Sequence, residues 1–232
     1  MTFERIGYRD GSTALTGLLA RPAGKPRAAV AVFPTIMNPT PAVEAKATAL
    51  AEAGYVALIG DFYGAAPADF AQAMAWAEGL RSDVSTYRNR LHAAVAALHR
   101  LEPELPLLAI GFCMGGQAVL ELARDGAELG AVVSFHGLLE TGSPAEPGAV
   151  KARILVCHGD ADPLVPREQV VGFWQEMDCA EANWHFHAYS GVKHGFTNPN
   201  PPPGNTAVDF DPSADRQSWA AMLGLFDEVL GG

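Results

Sequence analysis

The sequence contains little of three things that would point to particular classes of protein: cysteine, positive charge and long apolar runs. Its 232 residues include three cysteines, Cys113, Cys157 and Cys179, and no two of them have CxxC spacing. An odd number of cysteines at such spacings argues against a disulfide framework and against a cysteine-based zinc site. We therefore expect free thiols in a reducing compartment, which predicts a cytoplasmic protein.

The charge balance and the hydropathy exclude two further classes of partner. Lysine and arginine number 16 against 26 acidic residues, so the formal net charge is −10 at pH 7, and nucleic-acid binding needs a basic surface. No apolar run reaches the roughly 18–20 residues that span a bilayer, and residues 1–5 do not begin a signal peptide. We expect no nucleic-acid and no membrane partner. No metal or cofactor is expected either, because His185 and His187 share a strand face but have no third ligand near them.

The chain is instead dominated by short apolar runs that alternate with longer stretches of helical periodicity. Strands are predicted at residues 28–33, 55–60, 106–110, 130–135, 153–158 and 183–189. Helices are predicted at residues 42–53, 68–80, 83–101, 114–124, 167–177 and 213–230. Runs of Val, Ile, Leu and Ala are typical of a sheet buried on both faces. Their alternation with helices predicts a mostly parallel sheet.

This organisation predicts one α/β domain over residues 1–232, built on a doubly wound sheet. The sequence has no internal repeat and no linker between domains. Residues 3–21 predict an antiparallel hairpin at the edge of the sheet. The segments 141–149 and 197–213 are rich in proline and glycine, so we interpret them as surface loops. The second loop begins three residues after His194 and is expected to border a site.

The segment Gly-Phe-Cys-Met-Gly-Gly at residues 111–116 lies between a predicted strand and a predicted helix. It has the G-x-C-x-G form of a nucleophile elbow, a turn so sharp that small residues must flank the nucleophile. The turn would put the Cys113 thiol at a helix N-terminus, which favours the thiolate. The N–H of Met114 would then point to where an oxyanion forms.

Two other interpretations of this segment are open. The glycines could serve only tight packing of strand and helix around a buried Cys113. A phosphate-binding loop is the other alternative. It is disfavoured because Cys113 replaces the second glycine of GxGxxG, and no Lys-Ser or Lys-Thr pair follows.

Two later segments supply the partners that a nucleophile needs. The sequence His-Gly-Asp-Ala-Asp at residues 158–162 follows a buried strand, so an acid there lies at a carboxyl end, where α/β sites gather. Lys-His-Gly-Phe at residues 193–196 follows the next strand. Nucleophile, acid and histidine in this order are typical of an α/β-hydrolase. The acid is either Asp160 or Asp162.

These segments, with Gly-Asp-Phe-Tyr-Gly at residues 60–64, resemble the dienelactone hydrolase family of α/β-hydrolases over nearly the whole chain. The resemblance implies an α/β-hydrolase fold in which Cys113 is the nucleophile, His194 the base and Asp162 the acid that orients the histidine. It also implies a second oxyanion N–H at Ile36, in the loop after the first buried strand.

The choice of Asp162 over Asp160 follows from the same resemblance. Hydrolases of this kind favour the aspartate three residues after the glycine that ends the strand, here Gly159. Asp160 is expected to brace the turn by accepting hydrogen bonds from backbone N–H groups.

The sequence departs from the family at two positions. Dienelactone hydrolases carry a glutamate in the first loop, where Thr35 stands, and an arginine four residues after the catalytic histidine, where Asn198 stands. The arginine holds the carboxylate of a dienelactone. The departures therefore favour a neutral activated ester or lactone over a dienelactone.

Four residues are candidates for substrate contact: Thr35, Tyr63, His136 and Asn198. His136 ends a predicted strand and could reach the cleft, with a plain loop histidine as the alternative, and Tyr63 could equally pack in the core. Three arginines are expected on a solvated helix face, from which one could meet an anionic substrate: Arg81, Arg88 and Arg90.

The predicted function is hydrolysis of a small activated ester or lactone through a thioester on Cys113. In the tetrahedral intermediate a thiolate leaves more easily than an alkoxide or an amine, so the substrate needs a good leaving group. Two alternatives are kept. One is a broad carboxylesterase or thioesterase on the same fold. The other is a non-catalytic α/β binding protein in which Cys113 is a redox-sensitive thiol.

Overall fold

The computed structural model of the protein describes residues 2–231, which contain eight strands and six helices. The strands are β1 (Glu4–Asp10), β2 (Thr13–Ala20), β3 (Ala29–Phe33), β4 (Val56–Ile59), β5 (Leu107–Phe112), β6 (Ala131–Phe135), β7 (Arg153–Gly159) and β8 (Trp184–Tyr189). The helices are α1 (Pro41–Glu52), α2 (Phe70–Arg81), α3 (Val84–Leu101), α4 (Met114–Arg124), α5 (Arg167–Cys179) and α6 (Pro212–Val229).

All eight strands form one sheet in the order β1-β2-β4-β3-β5-β6-β7-β8. The hairpin β1–β2 and the pair β2–β4 are antiparallel. The other neighbouring strands are parallel. The predicted fold class, a mostly parallel sheet with an antiparallel hairpin at its edge, is therefore confirmed.

The sheet is buried on both faces, as the continuous apolar runs predict. In β3, Ala29, Ala31 and Phe33 belong to a core shared with α2, α3, α4 and α5. The alternate residues Val30 and Val32 belong to a second core shared with α1 and α6. Because side chains of a strand alternate between its two faces, one short strand contributes to both cores and the sheet is doubly wound.

The expectation of a solvated arginine face is wrong for Arg88 and Arg90 of α3. Their side chains are only 12% and 10% exposed. Arg88 donates hydrogen bonds to Glu121 and Asp125, and Arg90 donates to Asp10. Burial of the alkyl stems is tolerated because each guanidinium meets a carboxylate.

The parallel strands bring the predicted site residues to one edge of the sheet. Cys113 directly follows β5 and His136 directly follows β6. Asp162 lies three residues after the end of β7, and His194 lies five residues after the end of β8. Carboxyl ends of parallel strands share an edge, which is where ligands bind in α/β folds.

We expect the change Gly115→Ala in α4 to destabilise the protein. A Cβ on Gly115 would lie 2.0 Å from the carbonyl oxygen of Phe33, so the free energy of unfolding should fall by about 2 kcal/mol or more. Gly172 in α5 is the matched control, since a Cβ there meets no atom within 4 Å. Gly172→Ala should stabilise by roughly 0.5–1 kcal/mol. Urea unfolding measures both, and an unchanged midpoint for Gly115→Ala would contradict the close packing of α4 on β3.

Candidate active site

Cys113 occupies a strained turn between β5 and α4. Its backbone has φ 57° and ψ −114°, a combination that residues with a side chain seldom adopt. The turn leaves no room for larger neighbours, because a Cβ on Gly111 would lie 1.9 Å from the carbonyl oxygen of Gly115. The thiol is partly exposed and sits at the N-terminus of α4. This is the geometry of a nucleophile elbow.

His194 and Asp162 form a buried hydrogen-bonded pair beside this turn. The distance from His194 Nδ1 to Asp162 Oδ2 is 2.7 Å, and each residue is 4% exposed. The other carboxylate oxygen of Asp162 accepts the N–H of Leu164 at 2.8 Å. A carboxylate partner keeps the Nδ1 proton in place. Nε2 is left as the nitrogen available for proton transfer, and it is buried without a hydrogen bond within the described chain.

The pKa values of Cys113 and His194 are shifted in opposite directions. Burial acts to raise the pKa of the Cys113 thiol. The neighbouring His194, the N–H of Met114 and the charge of Arg81 outweigh it, so this pKa lies below its usual value. Burial acts to lower the pKa of His194. The charge of Cys113 and the hydrogen bond to Asp162 raise it above its usual value. Together the shifts favour a thiolate beside an imidazolium.

His136 supports the turn from its other side. The N–H of Cys113 donates to His136 Nδ1 at 3.1 Å, and His136 Nε2 lies 2.8 Å from Thr197 Oγ1. A ring nitrogen that accepts a hydrogen bond carries no proton, so Nε2 carries it and the imidazole is neutral. Burial, with the charge of His194, also holds the pKa of His136 well below its usual value.

The loop after β3 ends in a turn fixed by a buried carboxylate. Asn38 has a φ of 64° and donates its backbone N–H to Thr35 O at 3.0 Å. Its side-chain amide donates to Asp61 Oδ1 at 2.8 Å. Asp61 also accepts the N–H groups of Tyr63 and Gly64 at 3.0 and 2.9 Å. Ile36 lies within this turn, so Asn38 and Asp61 hold the backbone around it.

A cavity of about 770 Å³ opens above Cys113. Of the residues that the sequence singles out, it is lined by Thr35, Ile36, Arg81, Cys113, Met114, His136, His194 and Asn198. Most of the remaining wall is apolar, from residues that include Val43, Phe70, Met74, Leu138, Leu164 and Val208.

Some of the predicted residues take places other than those expected. Tyr63 stands behind the cavity wall, where its hydroxyl lies 3.4 Å from Met114 Sδ. Arg81 lines the cavity and, within residues 2–231, forms no ion pair with a carboxylate. Cys157 is buried in β7, and burial raises its pKa to about 12. Cys179 ends α5 and is exposed.

The prediction that Asp160 accepts backbone N–H groups is wrong. Its carboxylate accepts two hydrogen bonds from the guanidinium of Arg167, at 3.0 and 2.6 Å. A charged double donor seven residues away competes successfully with the local backbone. Asp162, rather than Asp160, reaches His194.

Sequence reasoning missed several residues that complete the site. Thr197 and Asn38 had no signal, because their roles depend on contacts distant in sequence. Asp61 lies in the Gly-Asp-Phe-Tyr-Gly segment at residues 60–64. This segment contributed to the family resemblance, but the sequence indicated no role for Asp61. Phe70 and Met74 lie in the helix predicted at residues 68–80, and nothing in the sequence distinguishes them from its other apolar residues.

Residues 2–231 contain neither a metal-binding cluster nor a membrane-spanning helix. In that part of the chain, no group of three or more His, Cys, Asp or Glu side chains is arranged to hold a metal ion. None of the helices described there has the length and apolar character needed to cross a membrane.

Comparison with known proteins gives consistent results. The model of the dienelactone hydrolase family matches residues 15–230. A protein of Bradyrhizobium sp is named as a probable 2-oxo-3-(5-oxofuran-2-ylidene)propanoate lactonase. It is 31% identical over an alignment of 195 residues, and the match covers 77% of each chain.

Two solved structures are similar over 98% of both chains. One, named m3DLH, has a TM-score of 0.91 and 37% identity. The other, a dienelactone hydrolase-like promiscuous phosphotriesterase from metagenomic libraries, has a TM-score of 0.91 and 34% identity. With a family model that covers residues 15–230 and an α/β-hydrolase sheet that carries these residues at its edge, the chain belongs to the dienelactone hydrolase family.

Proposed function

We propose that the protein hydrolyses activated esters or lactones through a thioester on Cys113, with His194 and Asp162 completing a catalytic triad. The observation that carries the proposal is the 2.7 Å pair of His194 Nδ1 and Asp162, set beside a cysteine on a strained elbow. A structural histidine has no need of a buried carboxylate that fixes its tautomer. The lactonase named among the relatives supports the same class of reaction.

Acylation begins from the thiolate and the imidazolium. The Cys113 sulfur attacks the carbonyl carbon, a carbon–sulfur bond forms, and the carbonyl electron pair moves onto oxygen. The N–H groups of Met114 and Ile36 are the proposed donors to this oxyanion. On collapse the bond to the leaving oxygen breaks, and His194 gives its Nε2 proton to that oxygen.

Deacylation returns the site to its starting state. His194, now neutral, takes a proton from water as the water oxygen attacks the thioester carbonyl. The carbon–sulfur bond then breaks, the acid is released, and the thiolate faces an imidazolium again. Asp162 holds the Nδ1 proton throughout and stabilises the charged ring.

The choice of substrate class rests on the leaving group and on charge. A thiolate is expelled more readily than an alkoxide, so enol esters, aryl esters, thioesters and activated lactones such as enol lactones are the substrates that go forward. A broad carboxylesterase or thioesterase is the second candidate, supported by the large and mostly apolar cavity. Asn198 offers no cation to a substrate carboxylate, whereas Arg81 lines the cavity and would serve that role instead.

The cysteines and the net charge support a proposal for the compartment and the partner of the protein. The three cysteines are unpaired within the described chain, which fits a reducing compartment such as the cytoplasm. The net charge of −10 at pH 7 gives no support to a nucleic-acid partner. A small molecule that fills the cavity is the partner we propose.

Changing Cys113 to Ala should lower kcat for a simple aryl acetate by about a thousandfold or more, and His194→Ala should have the same effect. The double variant should be no slower than either single one, because members of a triad act as a unit. Steady-state kinetics with para-nitrophenyl acetate measures all three. Retention of most of the activity by Cys113→Ala would move the reaction to another group.

Alkylation by iodoacetamide should single out Cys113 and depend on His194. Because the pKa of Cys113 is lowered, a larger fraction of it is thiolate near neutral pH than of an ordinary cysteine, while the raised pKa of Cys157 keeps that thiol protonated. His194→Ala removes the main cation beside the thiol, so the pKa of Cys113 should rise. Each unit of that rise lowers the thiolate fraction about tenfold. Mass spectrometry of the labelled protein gives the site and the rate, with Cys179→Ser as control. Faster labelling of Cys179 than of Cys113 would count against the thiolate.

Asp162→Asn should lower kcat by roughly a hundredfold or more while the fold is retained, because an amide favours the wrong tautomer of His194. Asp160→Asn is the matched control, since among residues 2–231 its carboxylate accepts hydrogen bonds from the guanidinium of the exposed Arg167 alone. That change should leave kcat within about twofold, as expected for a surface pair. Kinetics beside circular dichroism measures both. A larger loss in Asp160→Asn would reverse the assignment of the acid.

A further inference from the structure

Large apolar side chains are exposed at the mouth of the catalytic cavity. Among the described residues, Phe70 is 54% exposed, Met74 43% and Leu164 47%, and all three line the cavity above Cys113. They make up half of the six exposed large hydrophobic residues in that part of the chain. Scattered exposed apolar residues need no explanation, whereas a group around one opening marks a binding surface.

Two of the three lie on one side of α2. Phe70, Met74 and Arg81 occupy positions i, i+4 and i+11, so they form a single stripe along the helix. Arg81 is the inner end of this stripe, because it lines the cavity and its charge lowers the pKa of Cys113. Phe70, at the start of the helix, is the outer end. From Met74 to Arg81 the helix rises by about 10 Å.

The helix α2 lies beyond the side chain of Met114, with Tyr63 between them. Trp76 of α2 packs against Tyr63 with ring centroids 5.4 Å apart, and the Tyr63 hydroxyl lies 3.4 Å from Met114 Sδ. A second wall is formed beside His194, which itself forms a β-bridge with Val208. The cavity therefore has an apolar wall from α2 and a separate wall beside the catalytic histidine.

The chemistry of the proposed reaction assigns a substituent to each wall. In the tetrahedral intermediate the leaving oxygen must face His194, which protonates it, and the oxyanion must face the N–H of Met114. The leaving group therefore takes the wall beside His194, and the acyl substituent is left the other wall, which is formed by α2. An apolar substituent there covers Phe70 and Met74, which are otherwise in water.

The size of the cavity fits such a substituent. Its volume of about 770 Å³ lies in the range of roughly 300–1,000 Å³ that holds drug-sized ligands, and a small lactone would leave most of it empty. An extended acyl chain of roughly eight carbons spans the 10 Å rise from Arg81 to Met74.

We propose that the preferred substrates are activated esters whose acyl group is a medium-length apolar chain, bound along α2 against Phe70 and Met74. This inference rests on the proposed hydrolysis at Cys113 and adds the identity of the acyl group. Burial of each methylene should raise kcat/KM by roughly three- to fourfold, until the chain passes the end of the apolar wall.

The test is a series of para-nitrophenyl esters, from acetate through butanoate and hexanoate to octanoate, each kept below its micelle-forming concentration. For the wild-type protein we expect kcat/KM to rise several hundredfold from acetate to octanoate, because roughly threefold for each of the six added methylenes multiplies to about 700-fold. In the double variant Phe70→Ser, Met74→Ser the rise should disappear, so that octanoate is hydrolysed with no higher kcat/KM than acetate. Val171→Ser is the matched control, since Val171 is 45% exposed on α5 and should leave the rise intact.

Other results overturn the inference in distinguishable ways. A flat or falling series, with acetate still hydrolysed, removes the apolar acyl site and leaves the proposed hydrolysis standing. A second series of aryl acetates carries the alkyl chain on the leaving group. If that series shows the rise and the double variant abolishes it, the wall binds the leaving group and the assignment to the acyl group is wrong. Absence of turnover and of Cys113 acylation with every ester overturns the proposed function together with this inference.

Discussion

Cys113 holds a backbone conformation, φ 57° and ψ −114°, that a residue with a side chain keeps only where its surroundings impose it. Gly111 and Gly115 impose it from the chain itself, because their backbones approach to distances that no Cβ allows. The neighbouring strand imposes it from the side, since the N–H of Cys113 is within hydrogen-bond reach of Phe135 O and of His136 Nδ1. Both the position of the thiol at the start of α4 and its distance from His194 follow from this one turn. The sheet and α4 together hold the backbone of Cys113 in place.

Two buried histidines next to the thiol are kept in different charge states by their partners. The rings of His136 and His194 have centroids 5.1 Å apart, so two positive charges there would repel each other. His194 faces the carboxylate of Asp162 and is driven towards the imidazolium. His136 accepts a backbone N–H and is held neutral. The positive charge is thereby confined to the ring of His194, beside the Cys113 thiol.

Features of the fold that depend on near neighbours in the sequence could be predicted from it. Apolar runs predicted the buried strands, and the spacing of glycines around Cys113 predicted the elbow, because both are constraints between near neighbours. Contacts between distant segments left no such pattern. The link from Asn38 to Asp61, the neutral state of His136 and the ion pairs that bury Arg88 each depend on residues that fold together from far apart.

The carboxylate of Asp61 ties three segments into one cooperative unit. It accepts an N–H from Thr16 of β2 at 2.9 Å, an amide N–H from Asn38 at 2.8 Å and the N–H of Tyr63 at 3.0 Å. Opening any one segment would leave a buried charge short of donors, which carries a large penalty. Surface turns usually fluctuate freely, but these shared hydrogen bonds couple the turn that holds Ile36 to the hairpin. We therefore expect amide hydrogen exchange in that turn to follow the slow opening of the sheet edge rather than loop motion.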